Sequence, residues 1–165
     1  MYICGGRDGQ RCLNSVERFD PFSSAWTTVP IMLQHRAAAA AATLEGKLYV
    51  CGGWSGQQYL SSVEVFCPAE GQWRSVEPMS RHTAAAAAAV AAGRLYVCGG
   101  WDGREALSDV ERYDPAAGSW ETVAPMLQRR HGAAAVRAQG CLYLCGGHDN
   151  HQALNSMECY DPTGG

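Results

Sequence analysis

The dipeptide Gly-Gly recurs at Gly5-Gly6, Gly52-Gly53, Gly99-Gly100 and Gly146-Gly147, each pair 47 residues after the last, and a chain so constrained folds as a series of equivalent units. Tyr2, Tyr49, Tyr96 and Tyr143 precede the pairs in register. Glu17, Glu64, Glu111 and Glu158 follow them, and then Pro21, Pro68, Pro115 and Pro162. Trp26, Trp73 and Trp120 keep the same period, as do Met32, Met79 and Met126.

Within one unit, four strand-like stretches are separated by turn residues. The stretches are 83–91, Arg94–Cys98, Ser108–Tyr113 and Ser119–Val123, and the breaks are Gly93, Gly99-Gly100 with Asp102-Gly103, and Asp114-Pro115 with Gly118. Four strands in about 45 to 50 residues is the arithmetic of a β-propeller blade. Alanine is the best helix former, and Ala37–Ala42 and Ala84–Ala89 are alanine runs. Each run nevertheless precedes the Leu-Tyr-Val-Cys-Gly-Gly strand with only Gly46 or Gly93 for a hairpin, so the register predicts an innermost strand whose crowded position suits small side chains.

Composition narrows the class further. The 165 residues are 47% hydrophobic and 18% charged, which excludes collagen-like and disordered chains. No window holds the roughly 18 to 20 consecutive apolar residues of a membrane span. A net charge of −3 gives no field for nucleic acid or an anionic membrane. Met1 runs straight into Tyr-Ile-Cys-Gly-Gly without a signal sequence, so the eight cysteines read as reduced thiols and the expected location is cytoplasmic.

The Tyr-Val-Cys-Gly-Gly-Trp-Asp-Gly, Ser-Asp-Val-Glu-Arg-Tyr-Asp-Pro and Val-Ala-Pro-Met segments of the 96–126 stretch resemble the Kelch repeat, and most of all that of the Kelch-like (BTB-Kelch) proteins. The resemblance implies an all-β Kelch propeller with about 3.5 four-stranded blades of 47 residues. The units are a partial one at 2–34, complete ones at 35–81 and 82–128, and a partial one at 129–165. Met1 takes the slot of Leu48, Leu95 and Leu142, and Gly165 that of Gly118, so an incomplete, open propeller is expected. No BTB or BACK sequence lies in these residues, so cullin binding is expected only through regions absent from them. The repeated Gly5, Gly6, Gly52, Gly53, Gly99, Gly100, Gly146 and Gly147, with Trp26, Trp73 and Trp120, are expected to be structural.

No motif points to catalysis, and none implies a cofactor. The Gly-Gly pairs enter a loop rather than a helix N-terminus and lack a following Gly-Lys-Ser/Thr, so they do not read as a phosphate cradle. Cys4, Cys51, Cys98 and Cys145 share one repeat slot and so fall in different blades. Cys141 and Cys145 lie roughly 13 Å apart along a strand, too far for a disulfide. His148, Asp149 and His151 carry metal-ligand chemistry without the spacing of a site, so no metal is expected.

Function is expected where the units differ, in the loops after Gly-Gly and between blades. In Kelch-like proteins these loops form one face that grips protein partners. Here they hold Arg7, Arg11, Arg36, Arg81, Arg104, Arg129 and Arg130 against Asp8, Asp102, Glu105 and Asp149, seven positive charges and four negative, or +3. Trp54, Tyr59, Trp101, His131 and His148 supply rings. Arginine with aromatics is the residue set of interface hot spots, so the expected partner is a protein with an acidic segment, in which Arg36, Arg129 and Arg130 pair carboxylates. The resemblance implies the substrate-recognition propeller of a cullin-RING ubiquitin-ligase adaptor, with an actin-binding cytoskeletal protein as the alternative.

Overall fold

The computed structural model describes residues 1–162, so residues 163–165 of the last unit lie outside the described residues. Among the described residues fourteen strands form four separate antiparallel sheets. The first sheet is β1 (Tyr2–Arg7), β2 (Cys12–Asp20) and β3 (Ala25–Val29). The second is β4 (Ala40–Leu44), β5 (Lys47–Cys51), β6 (Val63–Cys67) and β7 (Gln72–Val76). The third is β8 (Ala87–Ala91), β9 (Arg94–Cys98), β10 (Val110–Asp114) and β11 (Ser119–Val123). The fourth is β12 (Ala134–Ala138), β13 (Cys141–Cys145) and β14 (Met157–Tyr160). Each sheet is a blade meander in chain order, and the blades form an open run rather than a closed ring. Among the described residues there is no helix, and hence none long and apolar enough to cross a membrane.

The second half of each alanine run, from Ala40 and from Ala87, becomes a strand because it is innermost, whereas 37–39 and 84–86 do not. β4, β8 and β12 pack side by side across neighbouring blades, and Ala40, Ala87, Ala89 and Ala91 are buried there. The strand expected over 83–91 starts later, at Ala87, because Ala85 is held at φ 52° and breaks the extended run. Its counterpart expected over Ser108–Tyr113 begins at Val110, since the Ser108 and Asp109 carbonyls accept the Met126 and Gly99 amides.

The core lies between blades, in three clusters, one at each junction. The repeat tyrosine of one blade meets an aromatic of the next: Tyr2 with Phe66 at 6.2 Å, Tyr49 with Tyr113 at 5.7 Å, and Tyr96 with Tyr160 at 5.8 Å between centroids. The Trp73 and Trp120 indoles donate to the Pro30 and Glu77 carbonyls of the preceding connector, each at 2.8 Å. This gives the tryptophan slot its period: the ring covers its own blade while its N–H ties down the previous one.

The repeated glutamates have the same kind of role. Glu64 accepts the Leu33 and Gln34 amides, Glu111 those of Ser80 and Arg81, and Glu158 those of Leu127 and Gln128. Each carboxylate clamps the connector leading into its own blade, where backbone N–H groups have no strand partner.

Candidate partner-binding face

The double glycines place the variable loops. Gly53 donates to the Thr83 carbonyl of the next blade and Gly100 to that of Arg130, so each turn is pinned across a blade junction. Immediately after the turn, Trp54, Trp101 and His148 occupy one slot and make isolated bridges to Ala37, Ala84 and His131 respectively. The same slot bridges forward to Tyr59, Ala106 and Ala153. A second ring of backbone bonds lies beneath: Ala85 donates to Ala38 and Gly132 to Ala85, each at 2.7 Å. Ala38 and Ala85 hold left-handed backbone at φ 51° and 52° to do so, and the third position of this slot, Gly132, has φ 66°.

These elements enclose a bowl of about 450 Å³. Its floor is Ala37, Ala38, Ala84 and Ala85, its wall Trp54, Tyr59, Trp101 and His131, and Arg7 stands at its edge. Trp54 and Tyr59 sit 4.6 Å apart between centroids, Trp101 and His131 5.6 Å, and His131 and His148 5.4 Å. Burial and the neighbouring His148 hold the His131 imidazole below its usual pKa, so it is neutral at neutral pH and the wall carries no charge. The Asn150 amide donates to His148 Nδ1, which fixes that ring behind His131.

Two of the expected contact residues are elsewhere, and this corrects the sequence reading. Arg36 and Arg130 are fully buried, with side chains 0% exposed. Arg36 donates to Glu64 Oε1 through Nε and Nη2 at 3.0 and 2.9 Å, to the Gly52 and Ser62 carbonyls at 2.7 and 2.9 Å, and to Ser62 Oγ at 2.8 Å. Arg130 repeats this with Glu158, the Gly146 and Ser156 carbonyls, and Ser156 Oγ. A guanidinium whose donors are all spent inside a blade junction cannot also reach a partner's carboxylate.

The surviving surface charge is largely neutralised within the face. Arg11 pairs with Asp8, Arg81 with Asp109 and Arg129 with Glu105. Asp8, Asp102 and Asp149 each accept backbone amides two and three residues on, which lowers their pKa and makes them turn residues. Without Arg36 and Arg130 the loop windows hold five arginines against the same four acids, or +1. Among the described residues Arg7 and Arg104 form no ion pair, and both are exposed. Among the described residues no group of three or more His, Cys, Asp or Glu is placed to hold a metal.

The arginine slot carried a signal that sequence reasoning missed. Arg36 and Arg130 lie two repeat periods apart, immediately before the alanine strand, each in a unit that also carries the repeated glutamate. The unit between them has Thr83 in that slot, and there the Thr83 hydroxyl bonds the Gly99 carbonyl at 3.0 Å while Arg81 and Asp109 carry the charges outside.

Residues 1–128 match the family described as the KLHDC2/KLHL20/DRC7 Kelch-repeats domain, and residues 129–165 match the Kelch motif. Kelch-like protein 35 of Homo sapiens is 44% identical over 48 residues, 29% of this chain and 8% of that protein. Kelch-like protein 6 of Homo sapiens is 38% identical over 48 residues, with the same coverage of 29% and 8%. The solved structure of YjhT superposes with a TM-score of 0.79 at 16% identity over 88% of this chain and 49% of that one, a likeness of fold.

Proposed function

This chain belongs to the Kelch-repeat family, and from that membership we propose that it is a protein-interaction module whose bowl receives a partner segment, in the role of the substrate-recognition propeller of a cytoplasmic Kelch-like adaptor for a cullin-RING ubiquitin ligase. The observation that carries the reading is the bowl itself. Three aromatic rings and a neutral imidazole from three loops surround an alanine floor, at the positions where the units differ. Such a surface buries an apolar side chain well, and Arg7 and Arg104 add two exposed cations to the same face. The partner is therefore a segment with an apolar anchor and an acidic flank, a narrower requirement than a run of acids.

A peptide library displayed on phage and selected against the chain tests this. Selected peptides should share an apolar residue next to Asp or Glu. Trp101→Ala should weaken their binding by about 10-fold or more, as hot-spot truncations do. Arg74→Ala, on the outer strand β7 where Arg74 pairs with Glu70, should leave binding unchanged. Equal losses from both variants would remove the bowl from the reading. The adaptor role is tested separately, by immunoprecipitating the endogenous protein from cells and probing for a cullin. Peptide binding without a co-precipitating cullin would leave the module and overturn the adaptor.

A further inference from the structure

The fourth blade carries two cysteines outside the repeated cysteine slot. Cys141 and Cys159 occupy positions that are Arg94 and Arg112 in the third unit and Lys47 and Val65 in the second. In the third unit those arginines pair with Asp114 and Glu121. The fourth unit replaces both cations with thiols.

Strand register puts the two thiols on one face. Tyr143 of β13 lies opposite Cys159 of β14, and Leu142 opposite Tyr160, so Cys141 is the diagonal neighbour of Cys159. Leu142 and Leu144 are buried, and Tyr160 meets Tyr96, so that side of the sheet faces the third blade. Cys141, Tyr143 and Cys159 point the opposite way, where Cys159 is exposed and Met157 is 60% exposed. Diagonal partners on adjacent strands have Cβ atoms under about 7 to 8 Å apart, within reach of two sulfurs that share a third atom. Desolvation first, and then the neighbouring Cys159 side chain, raise the Cys141 pKa, so Cys141 rests as a protonated thiol.

The other thiols offer no such pair. Cys51 and Cys98 are buried and pushed up to about 12 by desolvation, Cys4 to about 11, and the repeated cysteines fall in separate blades. Cys12 is also buried.

We propose that Cys141 and Cys159 form a dithiol site that binds one soft, thiophilic centre between adjacent strands, with a trivalent arsenical as the ligand class. With an arsine oxide the step is balanced without an oxidant or reductant. Two As–S bonds form, the As–O double bond breaks, and the two thiol protons leave with that oxygen as water. Loading would join β14 to β13 through a second link besides the ladder.

Phenylarsine oxide on the folded 165-residue chain tests the proposal by intact-mass spectrometry. One phenylarsenic group per chain should add, survive excess 2-mercaptoethanol, and leave with 2,3-dimercaptopropanol. Cys141→Ser and Cys159→Ser should each weaken adduct retention at least 100-fold, whereas Cys67→Ser and Cys145→Ser should not. Hydrogen exchange supplies a readout that does not depend on the variants: loading should slow exchange of the Met157–Tyr160 amides. An adduct that persists in Cys159→Ser, forms only in urea, or leaves β14 exchange unchanged would overturn the proposal. The bowl is formed by the loops and this pair sits on the fourth sheet, so loss of the adduct and loss of peptide binding are separable results.

Discussion

Arg36→Ala is expected to cost about 3 to 5 kcal/mol of stability, a large part of the total for a domain of this size. The size follows from what the deletion leaves behind. Glu64 is 1% exposed and would keep its carboxylate buried with only the Leu33 and Gln34 amides as donors. The Gly52 and Ser62 carbonyls would lose their bonds to Nη1 in the same step. Arg36→Lys should recover only part of the loss, because an ammonium cannot present the planar fork that meets Glu64 Oε1 through two nitrogens. Arg104→Ala, at an exposed position, should stay within about 0.5 kcal/mol. Urea unfolding followed by tryptophan fluorescence measures all three. A loss below about 1 kcal/mol for Arg36→Ala would mean that the junction relaxes around an unpaired carboxylate. Arg130→Ala should fall slightly short of Arg36→Ala, because the Glu158 side chain is 15% exposed where that of Glu64 is 1%.

The blade is legible in the sequence because its determinants are periodic. The tyrosine, double glycine, glutamate and tryptophan slots each contact a neighbouring blade, and such contacts repeat whenever the unit does. That is why the alanine runs read as strand rather than helix against their propensity, which holds from Ala40 and Ala87 onward: position in the unit outweighs an intrinsic preference worth tenths of a kcal/mol per residue. What periodicity does not encode is local backbone strain. Nothing in an Ala-Ala-Ala run announces that Ala38 and Ala85 are left-handed, because that conformation is imposed by the hydrogen bonds joining Ala38, Ala85 and Gly132. Only the glycine at position 132 of that slot hints at it.

The candidate site was less legible, and the arginines show why. Arg36 and Arg130 lie in loop windows, and a charged residue in a loop reads as solvent-exposed. Their burial depends on Glu64 and Glu158, which are 28 residues further along and belong to another element. Charge counted along the chain therefore overstated the field of the face. Aromatics in variable loops have few structural duties, and Trp54, Tyr59, Trp101 and His131 line one bowl, which is as far as the placement of the rings goes. Arg7 joined them because the first Gly-Gly turn places it in the same slot as Trp54 and Trp101.

Gly99→Val is expected to lower stability by more than about 3 kcal/mol, and the contributions can be separated. Gly99 has φ 63°, where a side chain costs roughly 1 to 2 kcal/mol from backbone sterics alone. A Cβ there would lie 2.3 Å from the Arg130 carbonyl oxygen and 3.0 Å from that of Leu107. The first oxygen accepts the Gly100 amide at 2.8 Å, so moving it away breaks the bond that pins the turn to the fourth blade. A buried amide left without a partner costs about 1 to 3 kcal/mol more. Gly118→Ala isolates the backbone contribution, since Gly118 has φ 67° but nothing within 4 Å of its Cβ position. It should lose about 1 kcal/mol. Gly99→Ala should exceed it by the clash and the broken bond, and Gly99→Val should exceed both because a β-branched side chain has fewer rotamers with which to evade the carbonyls. Urea titration gives the order, and hydrogen exchange should show faster opening of β9 and β12, the strands on either side of the turn. If Gly99→Ala matched Gly118→Ala, the Arg130 carbonyl would be free to move, and the junction between the third and fourth blades would not depend on the double glycine.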